Sequence, residues 1–388
     1  MNRRQLGALM ALNFAPLLIG NSIMPLLPIY ARSMGADVAV TGLVLGIIFA
    51  SLSAGALFSG WLSDRFQQRR LTLFASAAVK LAALLLMSQT DNFAIFVVLT
   101  SIVWFAGGVT TSTIGILAGM QAGAASRGRT FGAIALGGGI SQILAGVAAG
   151  TIVAQAGFQT LFLLLAGVQV IPLVVAVLIV RDVPPVPRQR KQASEQPIQS
   201  QTFWLLLGAS VLAYIVSFGT TLGRTIMMEK LGFDPAAISS AVAITGIVAT
   251  PLPFVLGTLS DRVGRHPLLA LAYALTAVGT IILSLATTLG GFWLATIMFA
   301  MLPSGLTLSS ALVTDTVPRE ALGSALSRLS TTPWIGGIIG FTGTGALIQA
   351  LGPQPVFLLL AVLPVLSAGL VLRATPGFDP LARFRHAR

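Results

Sequence analysis

Long apolar stretches alternate with short punctuation of glycine, proline and charge along almost the whole chain. A helix rising 1.5 Å per residue needs about 20 predominantly apolar residues to cross a bilayer's hydrocarbon, and about twelve stretches reach that length. The first half supplies helices over roughly 6–30, 39–63, 71–89, 93–122, 131–155 and 158–180. The second supplies them over roughly 203–228, 237–259, 268–288, 290–314, 321–350 and 354–373. Between the halves, residues 181–191 are rich in proline and basic side chains, and the chain then turns Gln- and Ser-rich up to Gln201, too polar to build a core. The pattern predicts an all-α membrane protein: a six-helix bundle over 1–181, a solvated linker over 182–201, and a second six-helix bundle over 202–388 ending in a short tail.

The two halves are copies of one unit. Gly60-Trp61-Leu62-Ser63-Asp64-Arg65-Phe66 returns as Gly257-Thr258-Leu259-Ser260-Asp261-Arg262-Val263, 197 residues later (257 − 60). The same offset pairs Gly35 with Gly232, Asp37 with Asp234, Ile47 with Ile244 and Leu71 with Leu268. Duplicated apolar segments are how many secondary transporters are built, with two related halves around one binding region.

Composition makes lipid the solvent. Only 9% of the residues are charged and 55% are hydrophobic, against about 25% charged in soluble domains. There is no cysteine, and the two histidines, His266 and His386, fall in charged segments outside the spans. Disulfides, Cys/His metal centres and a buried histidine relay are thereby set aside, and no metal or cofactor is implied. No Ser/His/Asp set or phosphate-cradling loop is present, so the chain does not read as an enzyme. The net charge of +12 does not indicate nucleic acid, because the basic residues lie singly or in short clusters between apolar runs. Their placement is asymmetric instead. Arg3, Arg4, Arg65, Arg69, Arg70, Arg127, Arg129, the linker, Arg262, Arg265, Arg319 and the tail fall on one set of loops, against Arg32, Arg224 and Lys230 on the other. The positive-inside rule then places both termini, the linker and both repeated loops in the cytosol, as in a multi-pass protein of the cytoplasmic (inner) membrane.

Gly-x-Leu-Ser-Asp-Arg between the second and third helices, repeated between the eighth and ninth, resembles the loop motif of the major facilitator superfamily. The resemblance extends over nearly the entire chain. Pro25-Leu26-Leu27-Pro28-Ile29-Tyr30, followed by Gly35, is similar to the drug-exporter (drug:proton antiporter) branch. So is Pro333-Trp334-Ile335-Gly336-Gly337 in the eleventh helix, while the fifth, where that family motif is expected, has Gly146 and Gly150 but no proline. The resemblance implies two pseudo-symmetric six-helix halves rocking about a central site. It also implies a cytosolic latch made of Gly60, Asp64 and Arg65 in one copy and Gly257, Asp261, Arg262 and Arg265 in the other, facing helices that start near Gly132 and Gly323. Elementary chemistry agrees with those residue types. Glycine lets helix ends approach, a carboxylate favours the positive end of a helix dipole, and Arg262 and Arg265 have a partner in Asp315. Gln67 and Gln68 stand where the second copy has Gly264 and Arg265, so the first latch is expected to be the weaker. The plainer alternative is that these charges only terminate helices and obey the inside bias.

Polar groups near mid-membrane are costly and need a reason. Asn21 in the first span, Trp104 in the fourth, Gln142 in the fifth, Tyr214 in the seventh and Trp334 in the eleventh lie at comparable depth, on helices that line the cavity in the family fold. They describe aromatic walls with a few hydrogen-bonding groups, suited to amphipathic organic molecules; the competing reading is that each packs or bonds between helices. Lys80, midway along the third span, reads as a packing or snorkelling residue, Arg224 lies near the outer end of the seventh, and Arg328, about two turns into the eleventh, is placed to hold an anionic group. No acidic residue falls mid-span. Proton coupling is then left to Asp64, Asp315 or Glu229, or to the substrate.

The expected function is secondary active transport of small amphipathic molecules, of multidrug-efflux type, by alternating access and coupled to the proton gradient. The expected partners are the lipid bilayer, a small-molecule substrate and protons, with no nucleic acid, and the chain reads as a monomer. The alternative is a carrier of a neutral or anionic metabolite such as a sugar or organic acid, uncoupled, with Arg328 as the anion contact. A membrane enzyme lacks its catalytic cluster here, and a sensor lacks an output domain.

Overall fold

The computed structural model describes residues 3–66, 68–121, 127–180 and 200–374, and every regular element among them is a helix. The first half contains α1 (Arg3–Ile23), α2 (Leu27–Ser33), α3 (Val38–Phe66), α4 (Arg69–Met87), α5 (Phe93–Gln121) and α6 (Arg127–Leu178). The second contains α7 (Gln201–Lys230), α8 (Pro235–Ala249), α9 (Leu252–Val263), α10 (Arg265–Leu285), α11 (Leu289–Phe299), α12 (Leu302–Thr316), α13 (Arg319–Ser330), α14 (Thr332–Leu351) and α15 (Pro353–Arg373). The linker and tail anticipated above lie outside the described residues, apart from positions 200 and 201.

Each predicted span has its helix, but several are broken where the sequence suggests a continuous rod. Proline has no N–H to donate and crowds the preceding turn. The first span divides into α1 and α2 around Pro25, the eighth into α8 and α9 around Pro251, the tenth into α11 and α12 before Pro303, and the eleventh into α13 and α14 before Pro333. The Leu329 carbonyl, to which Pro333 has no N–H to give, accepts from the Thr332 hydroxyl at 2.8 Å and from a backbone N–H at the helix end. In hydrocarbon a freed carbonyl needs such a local donor. The fifth and sixth spans follow one another within α6 as two helices that meet in a kink at Gly157, whose φ of 80° and ψ of 172° are non-helical.

The helices group into two compact units, one of residues 1–189 with 225–250, the other of 190–224 with 251–388. In the first, Leu9, Leu12, Leu73, Ile114, Leu117 and Ala176 form part of a buried cluster joining α1, α4, α5 and α6. In the second, Phe203, Leu206, Leu269, Tyr273, Leu312 and Leu329 belong to another. Helix adhesion in lipid depends on close packing, because lipid tails are as apolar as the side chains they replace. The α6–α8 crossing in the first unit is the clearest case. A Cβ at Gly146 would lie 2.1 Å from the Ala243 nitrogen, and one at Gly150 would lie 2.0 Å from the Pro235 oxygen. Into that gap Ser239 donates its hydroxyl to the Gly146 carbonyl at 2.9 Å and accepts from the Gly150 N–H at 3.2 Å.

Gly150→Ala is therefore expected to lower the apparent melting temperature in detergent by roughly 4 °C or more. Gly167→Ala, where no atom lies within 4 Å of the new methyl, is expected to hold or raise it, since alanine favours a helix by about 1 kcal/mol over glycine. Equal melting temperatures for the two variants would contradict the crossing described here.

Candidate functional site

Of the six residues expected to line a cavity, Asn21, Trp104 and Gln142 lie in the first unit and Tyr214, Arg328 and Trp334 in the second. Asn21 on α1 donates from Nδ2 to the Ser141 hydroxyl on α6 at 3.4 Å. Gln142 is the next residue, half-buried where α6 meets α8; its Cβ lies 3.2 Å from where a Gly246 Cβ would be. The α1–α6 seam thus brings Asn21 to the Gln142 turn. Trp104, on α5, is buried, with no hydrogen bond or ring contact to either among the described residues.

In the second unit α7 and α14 supply an aromatic run. The Tyr214 ring stacks 6.3 Å from Phe218, one turn along α7, and Phe218 lies 5.3 Å from Phe341 of α14. The two helices meet at Gly336, where a Cβ would sit 2.4 Å from that of Tyr214. Trp334, half-buried, stands two residues before that glycine. Arg328, exposed near the end of α13, holds its guanidinium 5.8 Å from the centre of the Trp204 ring at the start of α7. A cation over an exposed indole is worth about 0.5–1 kcal/mol. Sequence reasoning missed Trp204, Phe218 and Phe341. The four-residue spacing of Tyr214 and Phe218 was the available signal, whereas Trp204 gave none.

The charged residues are arranged less simply than their depth suggests. Lys80 does not snorkel: it is 1% exposed, and its Nζ has no hydrogen-bond partner among the described residues. Near it, the Gln169 side chain donates to the Ala77 carbonyl at 3.4 Å. Arg224 is also buried, with Nη1 donating to the Thr296 hydroxyl of α11 at 2.9 Å.

At the ends carrying the repeated motif, Arg265 forms an ion pair with Asp315 and reaches the Ala311 carbonyl at 3.4 Å. Arg65 and Arg262 are exposed. Ser63 of the first copy accepts from Arg69 Nε at 2.9 Å, and Arg70 donates to the carbonyls of Ala176 and Val177 at the end of α6. A cation on the last carbonyls of a helix also complements its dipole. Gly60 has open space where a side chain would begin, as do Gly132 and Gly323. The side chains of Asp64 and Asp261, the surroundings of Gly257, and Gln67 lie outside the described residues. Among the described residues no three His, Asp or Glu side chains converge as a metal site would require.

Comparison with known proteins adds the lineage. A family model described as Major Facilitator Superfamily matches residues 9–306 and again 206–385. "Multidrug resistance protein MdtG" of Enterobacter lignolyticus is 29% identical over 378 residues, 91% of this chain and 88% of that protein. "Multidrug resistance protein MdtL" of Klebsiella pneumoniae is 25% identical over 346 residues, 84% of this chain and 86% of that one. The crystal structure of the nucleoside transporter NupG, at 16% identity, superposes with a TM-score of 0.78 over 98% of this chain and 100% of that one, a likeness of fold. With ten helices long and apolar enough to cross a membrane among the described residues, a duplicated loop motif and a family match along almost its whole length, this chain belongs to the major facilitator superfamily of membrane transporters.

Proposed function

We propose that the protein exports small amphipathic organic molecules across the cytoplasmic membrane by alternating access, driven by the proton gradient. The observation that carries this reading is the likeness to proteins named for multidrug resistance along nine-tenths of the chain. The side chains supply a consistent chemistry. The Tyr214–Phe218 pair, backed by the buried Phe341, together with Trp334 and the Trp204–Arg328 pair, offers aromatic faces with few directional hydrogen bonds, a surface that accepts varied apolar shapes. Two six-helix halves, 1–181 and 202–388, joined by the 182–201 linker, carry the transport, with both termini and the Gly-x-Leu-Ser-Asp-Arg segments facing the cytosol under the positive-inside rule. Asn21, Trp104, Gln142, Tyr214, Arg328 and Trp334 contribute to the substrate path, and the motif residues latch its cytosolic side.

In cells expressing the protein, accumulation of amphipathic dyes is expected to fall below that of cells without it and to recover when the proton gradient is collapsed. Unchanged accumulation of neutral, cationic and anionic dyes would overturn the export reading in favour of a metabolite carrier. Arg328→Gln is expected to raise the apparent KM for anionic substrates by about tenfold while sparing neutral ones, as loss of a charged contact does. An equal rise for both classes would mark Arg328 as structural.

A further inference from the structure

Arg32 and Glu229 occupy equivalent places in the two copies, since they are 197 residues apart, the offset that relates the loop motifs. The corner beside each is built alike. Gly35 and Gly232 take positive φ of 92° and 81°. Asp37 and Asp234 each accept, through Oδ1, from the backbone N–H three residues on, at 2.7 Å. The equivalent positions also meet: Arg32 Nη1 donates to Glu229 Oε2 at 3.0 Å. A residue that touches its own counterpart lies on the axis relating two copies, as in an isologous dimer contact. Identical charged side chains would repel there, and the duplicated chain carries opposite charges instead.

The pair is held from both sides. Tyr30, two residues before Arg32, is wedged among Phe96, Phe158 and Phe162 with ring centres 4.8, 4.5 and 5.4 Å away. Thr225, one turn before Glu229, donates its buried hydroxyl to the Pro25 carbonyl at 3.2 Å. The charged side chains themselves stay 31% and 28% exposed. Water and salt compete at that exposure, so the pair is weak enough to be broken and remade. Its place is fixed by apolar anchors and its strength is small, a combination that suits a contact used repeatedly rather than one that holds a fold.

We infer that the Arg32–Glu229 ion pair is a charge latch at the end of the molecule remote from the Gly-x-Leu-Ser-Asp-Arg segments, and that its two partners separate each time that end opens during transport. This rests on the reading of the chain as a transporter. It adds two functional residues that belong to neither the substrate path nor the repeated motif.

The chain has no cysteine, so Asn21→Cys, just short of the end of α1, supplies a single reporter thiol. Arg32→Glu and Glu229→Arg, each added to it, are expected to raise its labelling by a membrane-impermeant maleimide by about tenfold, because like charges then face each other. The exchanged pair, Arg32→Glu with Glu229→Arg, is expected to bring labelling back to within about twofold of the parent. In chains that keep Asn21, dye efflux should fall in both single variants and recover in the exchange at equal amounts of protein in the membrane. Labelling unmoved by the single variants, or not restored by the exchange, would overturn the latch. Labelling needs no substrate, so a chain that exports no dye with Asn21 in place, yet shows this pattern in its Asn21→Cys form, would refute the export reading and leave the latch standing.

Discussion

A backbone amide inside a bilayer has no water to fall back on, and this constraint organises the structure. Every described span is helical because a helix satisfies its own N–H and C=O groups. Where Pro333 interrupts one, the neighbouring Thr332 hydroxyl bonds the Leu329 carbonyl. The same solvent removes the usual reason for helices to adhere. Lipid is as apolar as leucine, so contact must come from atoms brought unusually close. At the α6–α8 crossing, Gly146 and Gly150 give up their side chains and Ser239 bonds to both backbones, which places the two main chains in direct contact. In water the burial of a few leucines would serve as well.

The number and approximate limits of the spans are legible in the sequence, because length and apolarity are the properties a bilayer selects. The breaks inside them are less so. Pro251, Pro303 and Pro333 sit within stretches whose average hydropathy hides them, and the fifth and sixth spans meet without a loop at Gly157, in a conformation no hydropathy pattern encodes. Charges behave similarly. Arg265 and Asp315 are legible as partners because they are opposite charges at the same end of the spans, although the sequence offers Arg262 equally. Lys80 is misleading, since depth alone says nothing of whether a long side chain turns toward water or into its own bundle. Asn21 finds Ser141 across 120 residues of sequence, and nothing local to either announces it. The offset of 197 makes Arg32 and Glu229 equivalent, but equivalence of surroundings does not fix a distance.

The polar groups divide by how they are satisfied. Asn21, Ser239 and Thr225 are tied to backbone or hydroxyl partners on other helices, which leaves the aromatic faces on α7 and α14 as the less committed chemistry of the second unit. Half-exposed charges such as Arg32, Glu229, Arg265 and Asp315 collect at the span ends, where separating them costs little because water can solvate each partner. Strong interactions hold the helices of a unit together, and weak, hydrated ones mark the ends.

The proline breaks are unevenly shared between the copies. Among the described residues the second, fourth and fifth spans run unbroken, whereas their counterparts, the eighth, tenth and eleventh, are each divided; only the first span reverses the relation, being divided where α7 is whole. A rod of continuous hydrogen bonds passes a displacement from one end to the other, and an interrupted rod absorbs part of it at the joint. The interruptions therefore fall mostly in the second copy, where individual helices can change course at a joint while their ends stay in place.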